Sequence, residues 1–373
     1  MLPVAFVVVA GCGNDEQVLQ EKNEIVIGAY LSLTGTTATF GTSTEHGIRI
    51  AVDEVNAGGG VLGRKVKLLV EDTQSKPEEA ALVVTKLITR DKVCAIIGEV
   101  ASSRSLAAAP IAQQNRIPMV SPGSTNPEVT EKGDYIFRVC FMDPFQGEVL
   151  AKFAYNSLGV RRVALIKDVK NDYSIGLAEF FSSAFVQLGG EIIGEQAYSE
   201  GDTDFRAQLT AIKGLNPEAM VVPGYYQESA LLVKQARELN MEMPFLGGDG
   251  WDSNRLLEVG GAAMNNTYFS NHYSADDTAG IVQDFVNACR RRYDETPDAM
   301  AALGYDAGRI LFDAIERAGS DEPTKIRDAL AKTVDFPGVA GRTTIDAQRN
   351  ASKPIVIVKI EDGQFRFHSK VEP

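Results

Sequence analysis

Histidine, cysteine and tryptophan are scarce in this chain: 3 His, 4 Cys and 1 Trp among 373 residues. So few imidazoles and thiols leave little material for a metal cluster or a His-based acid–base centre. Positive charge is short as well. With 37 Lys and Arg against 50 Asp and Glu, the formal net charge is −13. A nucleic-acid binder needs a basic stripe to displace counterions, so this balance argues against that class. It disfavours a polybasic membrane-surface mode for the same reason. Long apolar runs are missing too. Residues 2–11, LPVAFVVVAG, are apolar and uncharged. About ten residues cannot cross a bilayer as a helix, which takes roughly 20.

That short run fits the apolar region of a secretory signal peptide over residues 1–11. It ends Val9-Ala10-Gly11-Cys12, which looks like a bacterial lipobox: small residues before a cysteine that is lipidated and becomes N-terminal. The alternative is a signal peptide with an incidental cysteine. Residues 12–24 are polar and acidic, as a tether would be. The expected mature protein is exported and held at a bacterial membrane by lipid on Cys12, periplasmic or at the cell surface. Cys94, Cys140 and Cys289 remain, an odd number, so they form at most one disulfide within the chain. Cys94 lies in the apolar run 93–97 and reads as a small buried hydrophobe.

What the chain has is 44% hydrophobic residues and length for two domains. Short β-type runs alternate with amphipathic segments. Strands are expected at 25–29, 66–70, 93–97 and 118–120, with helices at 44–56, 76–90 and 102–115 between them. The pattern resumes with strands at 163–166, 191–194, 219–222 and 245–247, and helices at 174–187, 205–213 and 228–239. Helices 281–292 and 299–318 follow, then apolar runs at 343–346 and 355–360. Such alternation implies parallel sheets flanked by helices, in two blocks that break near 141–146. Doubly wound sheets bind ligands beyond the carboxyl ends of their strands.

Gly58, Gly60 and Gly63 satisfy G-x-G-x-x-G, but a helix precedes them and a strand follows. A dinucleotide fingerprint needs the reverse order, so a helix stop and turn is the reading. H-E-x-x-H, C-x-x-C and G-x-S-x-G are absent. His46, His272 and His368 each read as surface or packing residues. With no nucleophile–base pair in view, the chain is not read as an enzyme, and no cofactor or metal is called for.

Three polar clusters do follow expected strands. Gly98-Glu99-Val100-Ala101-Ser102-Ser103 precedes a helix, where Ser102 or Ser103 is a good N-cap and the free N–H groups suit a carboxylate. Ser121-Pro122-Gly123-Ser124-Thr125-Asn126-Pro127 is a stiff loop whose Gly123 lets a ligand approach the backbone, or else a plain turn. Gly247-Gly248-Asp249-Gly250-Trp251 sets an acid at a strand end, either an ammonium partner or a turn aspartate bonded to its own backbone.

Donors for a carboxylate and an acid for an ammonium are what a zwitterion needs. Here the chain resembles the periplasmic branched-chain amino-acid binding proteins of ABC importers, the leucine/isoleucine/valine type. The likeness runs from about residue 23 to the end. Its motifs are Ile27-Gly28-Ala29 with Thr34-Gly35, Asn56-Ala57-Gly58-Gly59, the 121–127 loop, Gly224-Tyr225-Tyr226, Gly248-Asp249-Gly250 and Gly304-Tyr305-Asp306. The resemblance implies a type I periplasmic binding protein fold: two doubly wound parallel-sheet α/β lobes joined by three crossovers near 141–144, 271–274 and 352–355. Lobe one would be 25–142 plus 273–353, and lobe two 143–272 plus 354–373.

It also implies roles. Ser102 would bind the ligand carboxylate. Thr125 would meet carboxylate through its N–H and ammonium through its hydroxyl, and the Gly123 carbonyl would accept from the ammonium. Asp249 stands at the family's acidic position in lobe two, where leucine binders often have Glu. Phe40, Tyr173, Tyr225 and Tyr305 would line the ligand side chain, and Val100, beside Ser102, and Ser124, beside Thr125, would also be ligand-binding. Thr73–Gln74 and Ala101 fall where a leucine binder has its disulfide cysteines, so that bridge is not expected here. The implied function is capture of an amino acid, branched-chain or a related aliphatic or aromatic one, by hinge closure, and delivery to membrane permease subunits of an ABC importer. The second reading is a lipid-anchored sensory module for amino acids, amides or aromatic acids.

Overall fold

The structure, a computed structural model, describes residues 24–373. The expected signal segment, Cys12 and the tether up to residue 23 lie outside the described residues. Glu24 already opens β1 (Glu24–Leu31), which is buried without a break from Ile27 on, as a strand covered on both faces must be. The chain then enters α1 (Ala38–Ala57), which begins six residues before the expected start and stops at Gly58. Gly59, Gly60 and Gly63 take positive φ, so the glycine run is a helix stop and turn ahead of β2 (Lys65–Asp72). α2 (Pro77–Thr89) opens on its proline, and its expected inward face, Ala80, Val84, Leu87 and Ile88, packs with Tyr30 and Ile96. β3 (Ala95–Ile97), α3 (Ser102–Gln114), β4 (Met119–Ser121), the short α4 (Glu128–Glu131) and β5 (Ile136–Arg138) complete the first lobe's sheet. Its order is β2-β1-β3-β4-β5, all parallel. The order reverses between β1 and β3, so a crevice opens beyond their carboxyl ends.

α5 (Asp143–Lys152), with Asp143 and Pro144 in its first turn, carries the chain into the second lobe. There follow β6 (Arg162–Asp168), α6 (Asp172–Gln187), β7 (Glu191–Tyr198), α7 (Arg206–Lys213), β8 (Ala219–Val221), α8 (Tyr226–Glu238), β9 (Phe245–Gly247), α9 (Asn254–Gly260) and β10 (Thr267–Asn271). α10 (Gly280–Tyr293), α11 (Ala299–Ala318) and α12 (Pro323–Leu330) return to the first lobe, where α11 lies along α1. β11 (Thr344–Ile345) and β12 (Ala351–Ser352) form a small antiparallel pair. β13 (Ile355–Glu361) and β14 (Gln364–Val371) rejoin the second sheet, ordered β14-β13-β10-β9-β8-β6-β7. Its last two strands pair antiparallel, so this sheet is mostly rather than wholly parallel.

The chain thus passes between two α/β lobes three times: after β5, after β10 and before β13. Direct hydrogen bonds also join the lobes. Tyr226 Oη donates to the Thr36 carbonyl at 3.0 Å, and Thr39 Oγ1 lies 3.0 Å from Ser253 Oγ. The Asp172 N–H donates to Ser103 Oγ at 3.0 Å, and Asn126 Nδ2 donates to the Asp172 carbonyl at 3.0 Å. Cys94, Cys140 and Cys289 are all unpaired, and burial pushes each thiol up to about 12, so they pack as hydrophobes. Among the described residues, no helix is long and apolar enough to cross a membrane.

Candidate functional site

The two switch points face each other across the lobe junction. On the first lobe, the segment after β3 and the loop after β4 meet there. Ser102 opens α3, but the N-cap is Ala101, and no side chain caps the helix. The expected serine cap is therefore replaced: Ser103 Oγ serves the second lobe's Asp172 N–H instead. Uncapped, the first N–H groups of α3 keep their capacity to meet an anion. Ser102 Oγ accepts from the Asn126 N–H at 3.2 Å, which ties the two loops together. Ser124 Oγ reinforces the tie, donating to the Glu99 and Val100 carbonyls at 2.9 and 3.0 Å. Gly123 faces the junction, where an added Cβ would stand 3.0 Å from Val100 Cγ1. Thr125 is buried, and its Oγ1 has no hydrogen-bond partner.

On the second lobe, β9 ends in glycines because its neighbours leave no room for more. A Cβ on Gly248 would come within 2.2 Å of Tyr173 Oη, and one on Gly250 within 2.6 Å of the Gly224 carbonyl. Between them stands Asp249, 3% exposed. Gln146 Nε2 donates to its Oδ1 at 2.7 Å, and His272 Nε2 lies 3.0 Å from its Oδ2. The turn-aspartate alternative is thus set aside: this carboxylate is held by side chains from two crossovers. Tyr173 Oη accepts from the Gly250 N–H at 3.2 Å. The Tyr173 and Tyr225 rings stack in parallel, centroids 5.4 Å apart.

Phe40, Val100, Gly123, Tyr173, Tyr225 and Asp249, six of the expected residues, line one small gap between the lobes together with Gly250 and Met300. The gap measures about 10 Å³, room for about one water. Ser102, at the start of α3, and Ser124 and Thr125, in the loop after β4, are not among its lining residues. Tyr305 does not reach it. Its hydroxyl donates to Glu54 Oε2 at 2.6 Å and its ring packs on Phe285, because α11 turns that face toward α1 and α10. Beyond Tyr225 lies a cavity of about 240 Å³ lined in part by Arg104, Lys170 and Glu200. Arg104 is buried and bridges the lobes, 3.8 Å from Glu99 Oε2 and 3.6 Å from Glu200 Oε1.

Sequence reasoning missed Asp143, Gln146, His272 and Met300. His272, read as a surface or packing residue, is buried flat against Phe141 with ring centroids 3.7 Å apart, and it also bonds Asp249. Asp143 is wholly buried, with the Thr125 side chain beside its carboxyl. Burial pushes it well above the usual carboxylate range. The dipeptide Asp143-Pro144 is itself a helix-start signal, which would have placed Gln146 one turn in. Among the described residues, no group of three or more His, Cys, Asp or Glu is placed to hold a metal ion.

A parting of two lobes hinged by three crossovers, with an acid and three aromatic rings at their junction, defines a cleft-type solute binder. The chain belongs to the periplasmic binding protein family, whose model matches residues 24–364. It is similar to a leucine-binding protein of Thermotoga maritima, at 42% identity and a TM-score of 0.90, over 94% of this chain and 99% of that one. It is also similar to a branched-chain amino-acid transporter substrate-binding protein of Streptococcus pneumoniae solved with isoleucine, at 35% identity and a TM-score of 0.89, over 94% and 100%. A Leu/Ile/Val-binding protein of Rhizobium johnstonii is 30% identical, over 86% of this chain and 87% of that one.

Proposed function

We propose that this protein captures an amino acid, branched-chain or a related aliphatic or aromatic one, between its lobes and delivers it to the permease of an ABC importer. The observation that carries the reading is Asp249: a buried carboxylate held by two side chains on the wall of an otherwise aromatic and apolar gap. A buried charge is costly unless partnered, and an ammonium supplies the partner. The ligand carboxylate meets the N-terminus of α3, Ser102 and Thr125, whose buried Oγ1 has no hydrogen-bond partner. Gly123 offers its carbonyl to the ammonium. Phe40, Tyr173 and Tyr225 enclose the side chain. Lobe one, residues 25–142 plus 273–353, receives the solute. Lobe two, residues 143–272 plus 354–373, closes over it by hinge motion. Because the gap is so small, entry requires the lobes to part. Relatives named for leucine, isoleucine and valine support this solute class.

A thermal-shift panel of leucine, isoleucine, valine, phenylalanine, an aliphatic amide and benzoate tests the class. A ligand at 100 times its dissociation constant adds about 2.7 kcal/mol. An amino acid is expected to give the largest shift. A response to benzoate alone would remove the need for Asp249 and overturn the reading.

We further propose export through the 1–11 segment and anchoring through lipid on Cys12, supported by the Val9-Ala10-Gly11-Cys12 sequence. Cys12→Ser is expected to move the protein from the membrane fraction to the soluble one, and continued membrane fractionation would contradict this.

A further inference from the structure

His272 follows β10 at the second crossover and is 2% exposed. Its ring is clamped against Phe141 of the first crossover, the two planes 21° apart. Nε2 faces Asp249 Oδ2 at 3.0 Å, while Nδ1 is buried without any partner. A carboxylate oxygen only accepts, so Nε2 carries the proton and donates it. A second proton on Nδ1 would be buried with no acceptor. The bonding pattern therefore selects the neutral ring with Nε2–H. Gln146 holds the other carboxylate oxygen at 2.7 Å, so Asp249 cannot turn away from either donor freely.

We propose that His272 is the positioning residue for the ammonium-binding carboxylate: neutral, it fixes Asp249 and leaves the full negative charge to the ligand; protonated, it takes that charge itself and weakens amino-acid binding in acid. This rests on the amino-acid reading of the same site. The charged groups that act on the imidazole are Asp249 from the end of β9 and Lys353 from the third crossover, while Gln146 of α5 bonds the same carboxylate. Burial lowers His272 below the ordinary histidine value, Asp249 pulls it back up, and Lys353 lowers it. His272 also lines a hinge-side cavity of about 570 Å³.

The test combines two measurements. Imidazole ¹⁵N NMR of the ligand-free protein has only 3 histidines to distinguish. At pH 7.5, His272 is expected as the neutral Nε2–H form; an Nδ1–H or doubly protonated ring would overturn the proposal even if no variant folds. Calorimetry with leucine at pH 7.5 and 5.0 then compares wild type with His272→Gln and His272→Leu. Glutamine keeps a donor near the Nε2 position but takes no proton, so it should retain more affinity at pH 7.5 than leucine does. Wild type should lose more affinity than His272→Gln on going to pH 5.0, because only wild type can take up the proton that competes for the Asp249 charge. Asp252 and Asp298 also titrate in this window, equally in both proteins, which is why the variant is the reference. Binding with the same acid loss in both proteins overturns this proposal alone. Absence of amino-acid binding at pH 7.5 overturns the functional reading, and this one with it.

Discussion

Phe40 of the first lobe stands edge-on to Tyr225 of the second, ring centroids 5.5 Å apart and planes at 86°. Tyr226 meets the same ring at 4.9 Å. One phenyl group thus joins the lobes directly beside the ligand gap. Phe40→Ala is expected to lower leucine affinity roughly tenfold or more, since the closed form loses an aromatic contact and a buried wall. Phe→Ala in a core costs about 3–5 kcal/mol, so the melting temperature should fall as well. Calorimetry on the folded variant separates the two effects; unchanged affinity would remove Phe40 from the site.

A second prediction concerns pH and stability. Asp252, beyond β9, accepts from the Ala299 N–H at 2.7 Å, and Asp298, the N-cap of α11, accepts from Ala301 at 2.9 Å. Burial raises both from 3.8, Asp252 to about 6 and Asp298 to about 7, the latter also through the charge of Asp252. Above about pH 4 the unfolded chain has lost protons that the folded protein keeps. Their stabilising contribution is therefore full in acid and is lost as pH rises through about 6 to 7. The melting temperature of Asp298→Asn relative to wild type should rise between pH 5 and 8, and asparagine still caps α11. A pH-independent difference would contradict this.

The crossing of α1 and α11 gives a third. A Cβ on Gly47 would stand 1.9 Å from the Ala301 carbonyl, so the two backbones touch. Gly47→Ala should cost about 1–3 kcal/mol or more by overpacking. Gly280→Ala is the control: nothing lies within 4 Å of its Cβ position. It should be neutral, or stabilising by up to about 1 kcal/mol. Equal urea midpoints for the two variants would sink the argument.

The long amphipathic helices and the apolar strands were legible because burial imposes periods of 3.6 and 2 on the sequence. β14 is a half-exposed edge strand of alternating character, so it carries no apolar run. α1 was entered late because Gly41 interrupts its first turn. That glycine is required by packing, since a Cβ there would lie 1.9 Å from the Ser32 carbonyl. At the site, residues following strands were visible because the topology fixes their place. Gln146 and His272 were not, because they act from crossovers whose meeting depends on how the lobes fold together. Tyr305 shows the converse: a motif position alone does not say which way a helix face turns.

The most direct test of amino-acid capture is calorimetric titration of leucine into wild type and Asp249→Ala. Saturable binding to wild type at a 1:1 ratio and a loss of at least about tenfold in the variant are expected. Equal affinity in the two proteins would show that Asp249 does not hold the ammonium, and would contradict the account.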